Sequence, residues 1–265
     1  MDPFRFHTGD TPLLVSIPHV GTHVPPDVAA RLSPAAQALP DTDWHVDRLY
    51  DFLGELGAST IVATHSRYVI DLNRPPDGAS LYPGANNTAL CPTTTFDEAA
   101  IYLNGAEPDG DEIAARRDAI WQPYHERLDA ELAALKSRHG RALLWDAHSI
   151  RSRVPRFFEG RLPDLNFGSG GGTSTDPELL RRLSAVAAES PEYTHVVDGR
   201  FKGGYITRAN GDPAAGIHAV QLELSQITYM DEDAPYGFRE DLANGIRPLL
   251  RDLLAASLDW IGGRS

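Results

Sequence analysis

The feature that most narrows the fold of this 265-residue chain is an alternation of two periodicities. Short aliphatic and β-branched runs closed by turn formers occur at Leu13 to Ile17, Ser59 to Thr64, Ala142 to Asp146, Thr194 to Val197 and Ile217 to Leu224. Helical patterns fill the intervals. From Asp43 to Leu56, residues Val46, Leu49, Tyr50, Leu53 and Leu56 share one face, and Gly57 supplies the stop. Asp111 to Arg138 reads as a long amphipathic helix interrupted at Pro123, and Pro177 to Ala188 and Phe238 to Ile261 complete the set. Strands that alternate with helices are joined by crossovers, so a three-layer α/β/α architecture with a mostly parallel central sheet is expected. With 42% hydrophobic residues, one domain spanning 1–265 can bury a proper core, and no repeat or boundary divides it. In such sheets ligands gather at the carboxyl ends of the strands.

Charge removes several functions. There are 24 Lys and Arg against 37 Asp and Glu, a net charge of −13, whereas nucleic acid and anionic membranes need a basic footprint. Cys91 is the single cysteine, which excludes an intramolecular disulfide and any cysteine-rich zinc module. Met1 to Asp10 has no apolar targeting segment, and no run approaches the roughly 18 apolar residues of a membrane span. The expectation is a soluble cytoplasmic protein that acts on a small molecule. An anionic substrate would need a local cluster of positive groups.

Two stretches, Pro75 to Thr95 and Arg151 to Thr175, are rich in Gly, Pro, Asn and Ser and lack periodicity, as functional loops do. The run Gly168 to Gly172 suggests a phosphate loop, but no Gly-Lys-Ser/Thr follows and Thr173 stands where a dinucleotide fingerprint has its last glycine. It reads as a flexible loop.

Polar residues collect at the strand ends. His19 lies just past the first strand and His148 just past the third. Two imidazoles in the same geometric role, with carboxylates nearby, suit a divalent ion with an open coordination position. Thr22 stands three residues after His19, so no adjacent glutamate completes the set. Asp43 and Asp47, an i, i+4 pair opening a helix, both offer a third ligand; otherwise Asp43 is a helix cap and Asp47 a surface partner of Arg48 or Arg5. Glu223, inside the apolar strand Ile217 to Leu224, is costly to bury without a partner. It is a candidate general base, or else a structural partner of an arginine. Arg67, Asn73 and Arg74 fit a carboxylate clamp, with Asp71 holding one of the arginines.

Taken together, Ser16 to Gly21, Asp43 to Tyr50, Ser66 to Pro76, Trp145 to Pro155 with Glu159-Gly160, Phe201 to Arg208, and Gln221 to Leu224 with Tyr229 to Asp231 resemble the N-formylglutamate amidohydrolase family of histidine degradation. More remotely they resemble zinc carboxypeptidases and aspartoacylase-like deacylases. The resemblance implies a phosphorylase/hydrolase-like α/β domain, one divalent metal ion, Zn²⁺, and hydrolysis of a small N-acyl acidic amino acid, N-formyl-L-glutamate, to formate and L-glutamate. It implies metal ligation by His19, His148 and one of Asp43 and Asp47, with Asp43 favoured as nearer the strand ends and Asp146 orienting a ligand. Glu223 becomes the general base and Arg67 the group that polarises the scissile carbonyl. Asn73, Arg74, Tyr205 and Arg208 become substrate-binding, Arg208 for the second carboxylate.

Overall fold

The computed structural model describes residues 1–79 and 88–263, so part of the Pro75 to Thr95 loop lies outside the described residues. Seven strands form one sheet: β1 (Phe4–His7), β2 (Leu13–Ile17), β3 (Ser59–Ala63), β4 (Ala142–Ile150), β5 (Leu165–Gly168), β6 (His195–Val197) and β7 (Ile217–Ser225). Their order is β1-β3-β2-β4-β7-β5-β6. Strand β1 runs antiparallel to β3, and β5 antiparallel to β7; the other pairs are parallel. The expected mixed α/β sheet is therefore present. Two of its strands escape periodicity: β1 is a four-residue edge strand, and β5, also four residues, lies inside the stretch Arg151 to Thr175 read as loop.

The helices are α1 (Pro26–Ala29), α2 (Val46–Leu49), α3 (Gly110–Arg116), α4 (Gln122–His139), α5 (Pro177–Ala188), α6 (Tyr205–Asn210) and α7 (Glu240–Ile261). The bounds expected for α5 match, but the helix expected from Asp43 is broken. His45 has φ +62°, in the left-handed region, so α2 starts only at Val46; it ends after one turn at Leu49, and a 3₁₀ turn at Leu53–Leu56 follows before Gly57. Asp43 thus lies outside the helix and no longer shares a face with Asp47. The long helix expected from Asp111 to Arg138 is interrupted before Pro123, by a wide π turn at Arg117–Trp121. This leaves Pro123 in the first turn of α4, where its missing N–H costs no helical bond.

Side chains alternate across the sheet, and the two faces differ. One face is apolar along its whole length: Leu13, Val15 and Ile17 of β2, Leu143, Trp145 and Ala147 of β4, and Val220, Leu222 and Leu224 of β7 pack with α5 and α7. The other begins apolar, with Leu14, Leu144 and Ala219 against Tyr124, Leu128, Leu132 and Leu135 of α4. Toward the carboxyl ends it turns polar and stays buried, through Ser16, Asp146, Gln221, His148 and Glu223. Register places His148 beside Glu223 and Asp146 beside Gln221. The cleft opens over this polar end.

Helix α4 supports that end through His125, whose Nε2 lies 2.9 Å from the Leu72 carbonyl oxygen and whose ring stacks on Trp121. Burial pulls the imidazole down to about 4, opposed by the bond to Leu72. A histidine held neutral in the fold contributes stability that is full above about 6.5, its unfolded value, and lost as pH falls toward 4. Between pH 7 and pH 5 the wild type should lose about 2 kcal/mol more than His125→Gln in urea unfolding. Equal losses would show that His125 is not the source.

Candidate active site

His19 stands two residues beyond β2, and its carbonyl accepts from the Asp43 N–H (3.1 Å), which ties the two segments together. His148 lies within β4 rather than past its end, because that strand runs on to Ile150. The two imidazole rings are 4.8 Å apart, and Asp43 lies against both. Its Oδ2 is 3.1 Å from His148 Nδ1 and 3.7 Å from His19 Nδ1, and it also accepts from the Ser149 N–H at 3.1 Å. All three residues are buried. Burial alone would raise the Asp43 carboxyl, but hydrogen bonds and charge from His148 and His19 hold it well below the usual carboxylate range. Burial would likewise lower His148, yet Asp146 and Asp43 hold it well above an ordinary histidine.

The outward nitrogens are equally engaged. His19 Nε2 lies 2.7 Å from Asp71 Oδ1, and the other oxygen of Asp71 accepts from Arg67 Nη2 at 2.8 Å. His148 Nε2 has Asp146 Oδ2 at 3.1 Å and Asn73 Nδ2 at 3.0 Å. Asn73 Oδ1 accepts from the Ile206 N–H, so its amide nitrogen faces the ring, and a proton on Nε2 can go only to Asp146. Ser16 and Thr207 donate to Asp146 and fix it in turn. Carboxylates that hold Nε2–H leave the two Nδ1 lone pairs pointing inward with Asp43, the ligand-and-support pattern of a metal-binding histidine. His19, Asp43 and His148 can bring one ligand atom each within 4.8 Å of one another. Two imidazoles, one carboxylate and an open side suit a divalent cation of the zinc type.

Glu223 completes the cleft wall. Burial pushes its carboxyl up to about 8, opposed by His148 and reinforced by Asp43. Gln221, two residues earlier on the same face, accepts from the Gly204 N–H (2.7 Å) and donates to Glu223 Oε2 (3.2 Å). Arg67, Asn73, Arg74, Phe96, Phe157, Arg200 and Phe201 also line the cleft.

Several expected site residues lie outside the cleft, and others line it with polar groups already engaged. Asp47 faces the surface and pairs with Arg5 at 2.9 Å, so the structure does not bring it to the two histidines; the left-handed His45 turns it away. Arg208 bonds the carbonyls of Gly203 (2.9 Å) and Gly170 (3.4 Å), and Tyr205 packs against Trp121 and His125; neither lines the cleft. Asn73 does line it, with its amide oxygen accepting from the Ile206 N–H and its amide nitrogen 3.0 Å from His148 Nε2. Arg74 bonds Thr88 and the Asn73 carbonyl. Sequence reasoning did not single out Gln221 and Arg200, which line the cleft. The i, i+2 spacing from Glu223 was the signal for the first, and a position just past a strand end was the signal for the second.

The chain is similar to known proteins over most of its length. Residues 11–230 match the sequence model of the N-formylglutamate amidohydrolase family. The N-formylglutamate deformylase of Pseudomonas aeruginosa is 54% identical, and that of Pseudomonas putida 52%, each over 255 residues and 96% of this chain, covering 96% and 95% of those proteins. The crystal structure of N-formylglutamate amidohydrolase from Ralstonia eutropha superposes with a TM-score of 0.82 at 25% identity, covering 98% of this chain and 97% of the other. A protein of Agrobacterium tumefaciens shares the fold, with a TM-score of 0.74 at 19% identity over 98% of this chain and 96% of its own.

The geometry separates the two aspartates by experiment. Calorimetric titration of metal-free protein with Zn²⁺ should give one tight site, weakened more than roughly 100-fold by Asp43→Asn, since outer partners alone are worth that much. Asp47→Asn should bind as the wild type does. Equal weakening in both variants would contradict the placement of Asp43.

Proposed function

Because the chain belongs to the N-formylglutamate amidohydrolase family, we propose that it hydrolyses N-formyl-L-glutamate to formate and L-glutamate with a divalent cation, zinc, held by His19, Asp43 and His148. We place the reaction as the last step of a route that degrades histidine. The observation that carries the reading is the meeting of a supported His-Asp-His set with a buried carboxyl, Glu223, in one arginine-lined cleft.

When bound, such a cation supplies Lewis acidity, polarising a carbonyl oxygen and lowering the pKa of water. The remaining work falls to the chain. Glu223 accepts a proton from the attacking water, with Gln221 fixing the carboxylate by its bond to Oε2. The water oxygen adds to the formyl carbon, and charge develops on the carbonyl oxygen. Arg67 is held rigid by Asp71 and by Asp43 at 3.5 Å, so its guanidinium can stabilise that charge without reorganising. The C–N bond then breaks, and Glu223 delivers its proton to the leaving nitrogen to give the amine of glutamate. Arg74, next in the chain to Asn73, takes the α-carboxylate.

Formate release from N-formyl-L-glutamate tests the reading. Glu223→Gln should lower kcat by about 10²–10⁴-fold with substrate binding little changed. Near-normal turnover in that variant would remove Glu223 from its role. Faster turnover of N-acetyl-L-aspartate or N-succinyl-L-glutamate by the wild type would point to a sister amidase instead.

A further inference from the structure

Arg200 lies on the cleft-lining loop between β6 and α6, and that loop is braced at both ends. Asp198 donates its N–H to the Phe167 carbonyl at 2.8 Å and accepts from the Ser169 N–H at 2.8 Å. At the far end the Gly170 N–H donates to the Lys202 carbonyl at 2.6 Å. A Cβ on Gly168 would lie 2.4 Å from Gly203 N, so only glycine lets the two segments touch there. The run Gly168 to Gly172, expected to be a flexible loop, thus begins in β5 and bonds to the Arg200 loop from behind.

The side chain it presents has an unusual environment for this chain. Arg200 Nε donates to the Phe157 carbonyl, and the guanidinium carbon lies 5.5 Å from the Phe201 ring centroid and 5.8 Å from that of Phe157. No carboxylate among the described residues pairs with Arg200, although acidic residues outnumber basic ones by 13. Arg67, on the same cleft, is neutralised by Asp71 and Asp43. A half-buried guanidinium with a vacant fork, set among ring faces, is suited to an incoming carboxylate.

We propose that Arg200 is the specificity residue that receives the side-chain carboxylate of the acyl amino acid, an assignment that rests on the deformylase reading above. The two carboxylates of an N-formylglutamate differ in reach. The α-carboxylate is attached to the carbon that bears the amide nitrogen, so it must lie near the ligand cluster, where Asn73 touches His148 and Arg74 follows. The side-chain carboxylate is separated from that carbon by two methylenes. Among the described residues no hydrogen bond or ion pair joins Arg200 to the ligand residues, and it is flanked by the two phenylalanine rings, whose faces cover methylenes while the guanidinium binds the terminal charge. Arg200 therefore takes the place that the sequence assigned to Arg208.

The test compares N-formyl-L-glutamate with N-formyl-L-glutamine, which has the same shape and no side-chain charge, in the wild type, Arg200→Gln and Arg200→Lys. In the wild type kcat/KM should favour the glutamate compound. Arg200→Gln should lower kcat/KM for N-formylglutamate about 10- to 100-fold, chiefly through KM, and leave N-formylglutamine nearly unchanged. Arg200→Lys should restore part of the preference, since a point charge replaces the fork. A merely structural role would depress both substrates together, and an unchanged ratio in folded Arg200→Gln and Arg200→Lys would overturn the assignment while leaving the deformylase reading intact. A wild type inactive on N-formylglutamate would overturn both.

Discussion

The arrangement at the carboxyl edge of the sheet depends on one buried carboxylate, Asp43, held between the Nδ1 atoms of His19 and His148. A carboxylate with almost no solvent access is tolerated only when paired and hydrogen-bonded, and each of its partners is paired in turn: His19 with Asp71, Asp71 with Arg67, and His148 with Asp146. Removing one member leaves an uncompensated charge on the next, so the network fixes its own geometry. Its protonation follows from the same pairing. Without a cation, Asp146 and Asp43 favour the protonated form of His148, and a divalent ion would displace that proton, which couples metal affinity to pH.

The sheet makes this possible by treating its faces differently. Behind β4 and β7 the apolar face continues to the strand ends, so the strands stay anchored by Trp145, Ala147, Leu222 and Leu224 even where their other sides carry Asp146, His148, Gln221 and Glu223. The rigid backbone under the polar side chains holds them in place against their mutual repulsion. Net charge operates on a different scale. At −13 the chain repels a dianion at a distance, so recognition must come from a few short-range contacts with arginines inside the cleft.

Much of this was legible in the sequence because it follows from period and strand ends. The central strands β2, β3, β4 and β7 and helix α5 announce themselves by their runs, and His19, His148 and Glu223 lie where a parallel sheet gathers its chemistry. What failed to show was set by single backbone angles and by short pairings. Helical spacing made Asp43 and Asp47 equivalent, whereas one left-handed residue, His45, sends them to opposite environments. Strand β5 is four residues ending in a glycine, too short for period two to register, yet it forms the antiparallel neighbour of β7 and carries the brace for Arg200. Arg208 sits in a suggestive glycine-rich segment, but its guanidinium is used on the backbone carbonyls of Gly203 in that segment and of Gly170. Sequence proximity to a motif does not say which way a long side chain turns.

The proposed reaction depends on a cation held by the His-Asp-His set and on Glu223 as base. The most direct measurement is formate production from N-formyl-L-glutamate as metal-stripped protein is titrated with Zn²⁺. Activity should be absent at the start, rise in proportion to added metal and level off at one equivalent. Full activity in the stripped protein, or a rise that continues well past one equivalent, would contradict the account.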